Sequence, residues 1–225
     1  MKDKINLSFP FIVDYIPISQ NRRPGIKANM QYLTIHSTGN ARSTAKNERG
    51  WLVNPQNTRT ASWHIVVDER EAILAVPLDE VAYHAGDANG NRTSIGIEIC
   101  ESGNRQKTME NAIELTAELL KQYKWKTDKL KRHYDWSRKL CPSILMANNW
   151  ALWHQFIREV DRKMSVDNKP LPQIQRRVNV IFRGQPLDLD GYLIKGNTQV
   201  PVRFIAQELG ANVRWDGATS TVYID

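Results

Sequence analysis

Hydrophobic and polar residues alternate most regularly in three stretches of this chain. Residues 31–37, QYLTIHS, place Leu33 and Ile35 on one face and Tyr32, Thr34 and His36 on the other. Residues 62–68, SWHIVVD, set Trp63, Ile65 and Val67 against Ser62, His64, Val66 and Asp68. Residues 94–100, SIGIEIC, set a continuous Ile95, Ile97 and Ile99 face against Ser94, Gly96, Glu98 and Cys100. A period of two predicts three half-buried strands, and the run Ala72 to Val76 predicts a fourth, returning as a hairpin through residues 68–71. The three strands share a layout in which one face is aliphatic and the other carries His36, His64 or Glu98.

Helical periodicity predicts the elements that cover them. Residues 108–123, TMENAIELTAELLKQY, place Met109, Ala112, Ile113, Thr116, Ala117, Leu120 and Tyr123 on one stripe behind a Thr108 N-cap. Residues 148–164 form a second amphipathic helix through Trp153, Phe156, Ile157 and Val160. Residues 43–53 suit a short helix capped by Ser43 or Thr44, weakened by Gly50 and closed by Pro55. The first residues up to Pro24 read as irregular, and the glycine- and asparagine-rich run 84–92, HAGDANGNR, reads as a loop. The expected fold is therefore α/β: a central mixed sheet with helices on its aliphatic face and a cleft on the other.

The pattern changes after residue 164. Residues 165–175, SVDNKPLPQIQ, are polar and twice interrupted by proline, which predicts a linker. Beyond it Val178, Val180 and Phe182 alternate, 201–209 suits a short helix, and Val213, Trp215, Val222 and Ile224 suggest closing strands. The expected organisation is a domain over 1–164, a linker over 165–175 and a small α+β module over 176–225, marginal if alone.

Composition narrows the partners only a little. The 225 residues are 41% hydrophobic and carry a net charge of +7. The 31 lysines and arginines divide 24 and 7 on either side of residue 164, and the 24 acids divide 18 and 6, so the basic excess lies in the first part. Such an excess favours polyanions, including anionic wall polymers. No recognition-helix, RNP-like or finger pattern accompanies it, and a nucleic-acid partner is not expected. Two cysteines, Cys100 and Cys141, do not make a disulfide framework. The apolar N-terminal run is cut by Pro10 and Asp14 without a small-residue cleavage site, so neither a signal peptide nor membrane insertion is expected.

The candidate chemistry centres on residues 133–142, HYDWSRKLCP. His133 and Cys141 are a nitrogen and a sulfur donor eight residues apart, a spacing that a loop can close around one Zn²⁺. Taken singly, a strand histidine is more often packed than ligating, and a buried cysteine before proline is usually apolar filler. In combination, His36, His133 and Cys141 supply three ligands and Glu98 a proton carrier, which is the arrangement of a catalytic zinc site with an open fourth position.

These stretches carry a resemblance. NRRPG, LTIHSTGN, ASWHIVVD, YHAGD, GNRTSIGIEIC and HYDWSRKLCP, spread over residues 10–160, together resemble the zinc-dependent N-acetylmuramoyl-L-alanine amidases of type 2, the fold of phage endolysins, bacterial autolysins and animal peptidoglycan recognition proteins. The resemblance implies that His36, His133 and Cys141 bind zinc, that Glu98 assists the attacking water, and that Lys139 stabilises the oxyanion. It implies bacterial peptidoglycan as substrate and action at the cell wall, reached by holin-type release or non-classical export. His64, on the cleft face, is expected to touch substrate, to support the ligands or simply to pack; His84 and Asn91, in the 84–92 loop, resemble the family's substrate-groove wall, with a plain solvated turn as the alternative. Trp63 joins them as a contact, because it stands where several relatives have a tyrosine and an indole cannot supply a phenol's proton. Residues 196–216 with TVYID resemble the stalk-type repeat similar to the N-terminal domain of copper amine oxidases, here with no histidine after His154; wall attachment and simple stabilisation are both open to it. Two other classes fit the same residues. One is a peptidoglycan-binding module of this fold without activity, against which Cys141 speaks, and the other is a cysteine hydrolase using Cys141 with His133 or His36.

Overall fold

The computed structural model describes residues 3–168 and, after them, 174–182, 185–194, 197–200, 205–206, 209–216 and 221–224. The chain separates into two compact units, Met1–Asn168 and Lys169–Asp225.

Six strands of the first unit build one mixed sheet. They are β1 (Phe11–Val13), β2 (Tyr32–Ser37), β3 (Ile65–Val67), β4 (Ala72–Leu74), β5 (Ser94–Ile99) and β6 (Leu130–Arg132), in the order β1-β4-β3-β5-β2-β6. Only β3 and β4 pair antiparallel; the other pairs are parallel. Between the strands lie α1 (Ala45–Trp51) and α2 (Ala88–Thr93), followed by α3 (Arg105–Tyr123), α4 (His133–Ser137) and α5 (Ala147–Asn168). The three strands expected from alternation are all present. β1 and β6, three residues each, were not expected, and α2 lies inside the run read as a loop. Its Asp87 side chain accepts from Gly90 N, which caps a helix that glycine and asparagine would otherwise disfavour.

Leu33, Ile35, Ile65, Val67, Ile95, Ile97 and Ile99 form the aliphatic face and are fully buried under α3 and α5. Burial of each such side chain contributes about 1.5–3 kcal/mol. α3 starts at Arg105, with Asn104 rather than Thr108 as N-cap. Its fully buried positions include Leu115 and Leu119, while Ile113 is half-buried, because the helix is held between the sheet and α5 and not by the sheet alone. α5 runs to Asn168, through the first residues of the stretch read as linker, and is broken near its start by positive φ at Asn148, Asn149 and Trp150.

The opposite face carries a smaller cluster of Ile16, Ala45, Leu52, Trp63, Val66 and Cys100. Trp63 thus lies on the cleft side, not with Ile65 and Val67 as simple alternation predicts. Regular pleating begins only at Ile65. Just before it, the backbone N–H groups of Ala75 and Val76 both point to His64 O, at 2.7 and 3.4 Å, a two-against-one irregularity that breaks the alternation.

In the second unit β7 (Ile174–Phe182), β8 (Gln185–Ile194) and β9 (Asn197–Gln199) form an antiparallel sheet, and β10 (Val213–Asp216) pairs antiparallel with β11 (Thr221–Ile224). The helix expected over 201–209 lies mostly outside the described residues.

Candidate metal centre

Strands β2 and β5 run side by side in a register that pairs His36 with Glu98. His36 is therefore carried to the cleft face by the same pleat that buries Leu33 and Ile35. His133 opens α4 directly after the edge strand β6, and Cys141 follows four residues after that helix. His36 Nδ1 lies 3.0 Å from His133 Nδ1 and 3.8 Å from Cys141 Sγ. One donor atom from each residue falls within 4.8 Å of the others, and all three residues are buried.

The donor set fits a zinc ion. Tetrahedral coordination at ordinary Zn–N and Zn–S lengths separates two nitrogens by about 3.3 Å and a nitrogen from a sulfur by about 3.6 Å. Observed separations lie on either side of these. Burial also pushes the His36 imidazole well below its ordinary range and His133 down to about 4, with the Lys139 charge adding to both, so both rings stay neutral near pH 7. Burial pushes the Cys141 thiol up to about 12, which disfavours a free thiolate. Three neutral donors converging on one point are what a dication, by its own charge, would compensate.

Glu98 stands at the edge of this cluster. Its Oε1 is 4.0 Å from His36 Nδ1, its side chain is 14% exposed, and its Oε2 is buried without a partner among the described residues. Burial pushes the carboxyl up to about 8, with Glu48 adding to the rise and Lys139 opposing it. Lys139 is exposed at the cleft mouth, where its charge reaches His36, His133, Cys141 and Glu98.

These residues share a cleft of about 760 Å³, walled by α1 and residues 57–63 on one side and by residues 83–86 and 137–141 on the other. Trp63 is in that wall, and its indole Nε1 is buried and, like Thr38 Oγ1, has no partner among the described residues. Thr38, Glu48, Asn57 and Arg59 line the cleft without having been singled out from sequence; lying in loops or on a short helix, they show no periodic signal.

The other expected groove residues are placed differently. His64 is fully buried, with Nδ1 accepting from Gly96 N at 2.9 Å and Nε2 facing Glu80 O at 2.8 Å, so neither nitrogen is available to a substrate. His84 is 7% exposed, and its nitrogens face His36 Nε2 and Ser94 O, each at 3.0 Å. Asn91 Oδ1 accepts from the backbone of His84 and Ala85. His64 and Asn91 lie behind the cleft, whereas His84 is part of its wall with both ring nitrogens engaged. A Cβ on Gly96 would meet the His84 ring at 2.6 Å, so glycine on β5 is what lets that ring lie against the strand. Trp136 is a packing residue: its Nε1 donates to Thr34 Oγ1 at 2.9 Å and its ring meets Tyr32 edge-on. His154 is exposed, as its position beside the apolar stripe suggests.

A mixed sheet thus gathers two imidazoles, a thiol and a buried carboxylate on one face, a set that could hold one metal ion. The family described as N-acetylmuramoyl-L-alanine amidase matches residues 26–144, and the copper amine oxidase N-terminal domain family matches residues 175–225. Among curated relatives, the N-acetylmuramoyl-L-alanine amidases XlyB and CwlA of Bacillus subtilis (strain 168) are 37% identical over 142 residues and 41% over 128, covering 60% and 53% of this chain. CwlH of the same organism is 34% identical over 171 residues and covers 71%. The chain spans 43%, 46% and 66% of the lengths of XlyB, CwlA and CwlH. The solved catalytic domain of XlyA superimposes with a TM-score of 0.62 at 37% identity, covering 67% of this chain and 98% of that one. For the PlyG catalytic domain the score is 0.62 at 30% identity, with 72% and 99% covered. The chain belongs to the N-acetylmuramoyl-L-alanine amidase family.

Proposed function

We propose that this chain is a zinc-dependent hydrolase of bacterial peptidoglycan that cleaves the amide between the lactyl group of N-acetylmuramic acid and L-alanine. The observation that carries this reading is the convergence of His36, His133 and Cys141 beside a buried, unpartnered Glu98 oxygen in one open cleft. Bound by those three residues, zinc supplies Lewis acidity that polarises the carbonyl and acidifies a water, and a double charge that draws the Glu98 carboxyl back towards its ionised form.

The chain's own residues account for the rest. Glu98, through Oε2, takes the proton of the attacking water and returns it to the leaving nitrogen as the C–N bond breaks, which yields a carboxylate and a free L-alanine amine. Lys139 faces the negative charge that builds on the carbonyl oxygen. Trp63 Nε1 and Thr38 Oγ1, buried donors without partners in the cleft wall, suit the carbonyls of the stem peptide. In this reading the catalytic domain extends to the end of α5, and the second unit is a spacer or wall-attachment module. The basic excess before residue 165 supports attraction to anionic wall polymers.

Digestion of purified cell wall tests the assignment. New N-terminal L-alanine with intact glycan strands is the expected product; reducing sugar ends without new amines would mean a glycosidase, and no release at all would favour a binding module.

A further inference from the structure

The hydrogen bonds around His36 determine where its ring carries its proton. A backbone carbonyl can only accept, so His84 Nε2, 3.0 Å from Ser94 O, must donate. In a neutral ring Nδ1 is then an acceptor, and the atom it faces at 3.0 Å is His36 Nε2. That nitrogen must carry the hydrogen, which leaves the lone pair of His36 on Nδ1, the atom directed at His133 and Cys141. His133 Nδ1 faces that lone pair at 3.0 Å and, with neutral rings and no metal bound, is the atom that donates to it.

A residue of one loop therefore orients the His36 imidazole. The loop is itself clamped, since Asn91 Oδ1 accepts from the backbone N–H of His84 at 2.9 Å and of Ala85 at 2.8 Å. We propose that this loop is a positioning device of the site: His84 through its ring holds His36 as the Nε2–H tautomer, so that it presents Nδ1 to a metal. His84 and Asn91 thereby gain roles toward that ligand. The tautomer follows from the hydrogen bonds alone, whereas its purpose rests on the zinc reading above.

Long-range ¹H–¹⁵N spectra of the metal-free protein labelled at histidine read the tautomers directly. His36 and His84 should each show a protonated Nε2 and an unprotonated Nδ1; a His36 protonated at Nδ1 would overturn the proposal. Zinc affinity, measured by competition with a chromophoric chelator, tests the consequence. His84→Phe keeps a ring but no acceptor and should weaken zinc binding by about 10–100-fold. His84→Asn places Oδ1 near the lost Nδ1 and should recover most of that loss. Equal affinities for wild type and His84→Phe, or equal losses in both variants, would reject the positioning role. If His84→Phe does not fold, the wild-type spectrum decides. Wild-type protein that binds no zinc yet shows the expected tautomers would reject the function proposed above and leave the loop's hydrogen-bond role standing.

Discussion

His36 and Glu98 are register partners on adjacent parallel strands, and His36 Nδ1 lies 4.0 Å from Glu98 Oε1. The proposed ligand atom and the proposed proton carrier are thus held together by backbone hydrogen bonds between β2 and β5, beneath which Ile35 and Ile97 are fully buried. Placing both groups on the rigid centre of a sheet limits how far either can drift from the other.

Substitution of Glu98 by glutamine keeps the shape of the side chain and removes its ability to take a proton. Hydrolysis should fall by about 100- to 10,000-fold, while the circular dichroism spectrum and zinc content stay as in wild type. Near-normal amine release from cell wall would exclude Glu98 as the base.

Lys139→Met removes a charge that faces the cleft without holding the fold. Turnover should drop by about 100- to 1,000-fold, the range for loss of one oxyanion donor. Zinc affinity should not weaken, because the Lys139 charge lies near the donors and repels a cation. A variant that loses metal and activity together would point to a structural role instead.

Chelation separates the zinc hydrolase from a cysteine hydrolase. Dialysis against a chelator should abolish activity, and added Zn²⁺ should restore it. The melting temperature should also rise on re-addition, since ligand at 1,000 times its Kd adds about 4 kcal/mol to stability. Activity that survives complete metal removal would restore the cysteine reading.

Stability of the metal-free protein should peak near pH 6.5. His64 and His133 are pushed down to about 4 and His84 to about 3, each chiefly by burial, so below about 6.5 the unfolded chain takes up protons that the folded one refuses. Stability is therefore lost as pH falls from there towards those values. Glu98 acts in the other direction: pushed up to about 8, it keeps a proton that the unfolded chain releases, and its contribution fades as pH rises through 8. Thermal melts across this range should show both slopes, and Glu98→Gln should remove the alkaline one.

Gly96→Ala should destabilise the fold by about 1–3 kcal/mol, because the added methyl meets the His84 ring at 2.6 Å and neither strand nor ring has room to yield. Urea unfolding measures the loss. A neutral result would mean that the ring can move.

Much of the site was legible along the chain because it depends on local period and donor chemistry. Alternation in residues 31–37 and 94–100 was enough to put His36 and Glu98 on the non-aliphatic faces of their strands, and the spacing of His133 and Cys141 was enough to suggest a shared metal. The strands β1 and β6 were not legible, since three residues are too few to show a period. Nor was the side on which Trp63 packs, because the irregularity at His64 is created by pairing with another strand.

The residue types, and hence a nitrogen–nitrogen–sulfur donor set with one carboxylate, belong to the sequence. What brings them together belongs to the tertiary structure, as His36 meets His84, His133 and Cys141 across 48, 97 and 105 positions of chain. Contacts of that range arise only when the strands have found their neighbours and register, which no local pattern specifies. The same limit hid the loop proposed to orient His36: read along the chain, HAGDANGNR is a turn, and only folding places its histidine against His36.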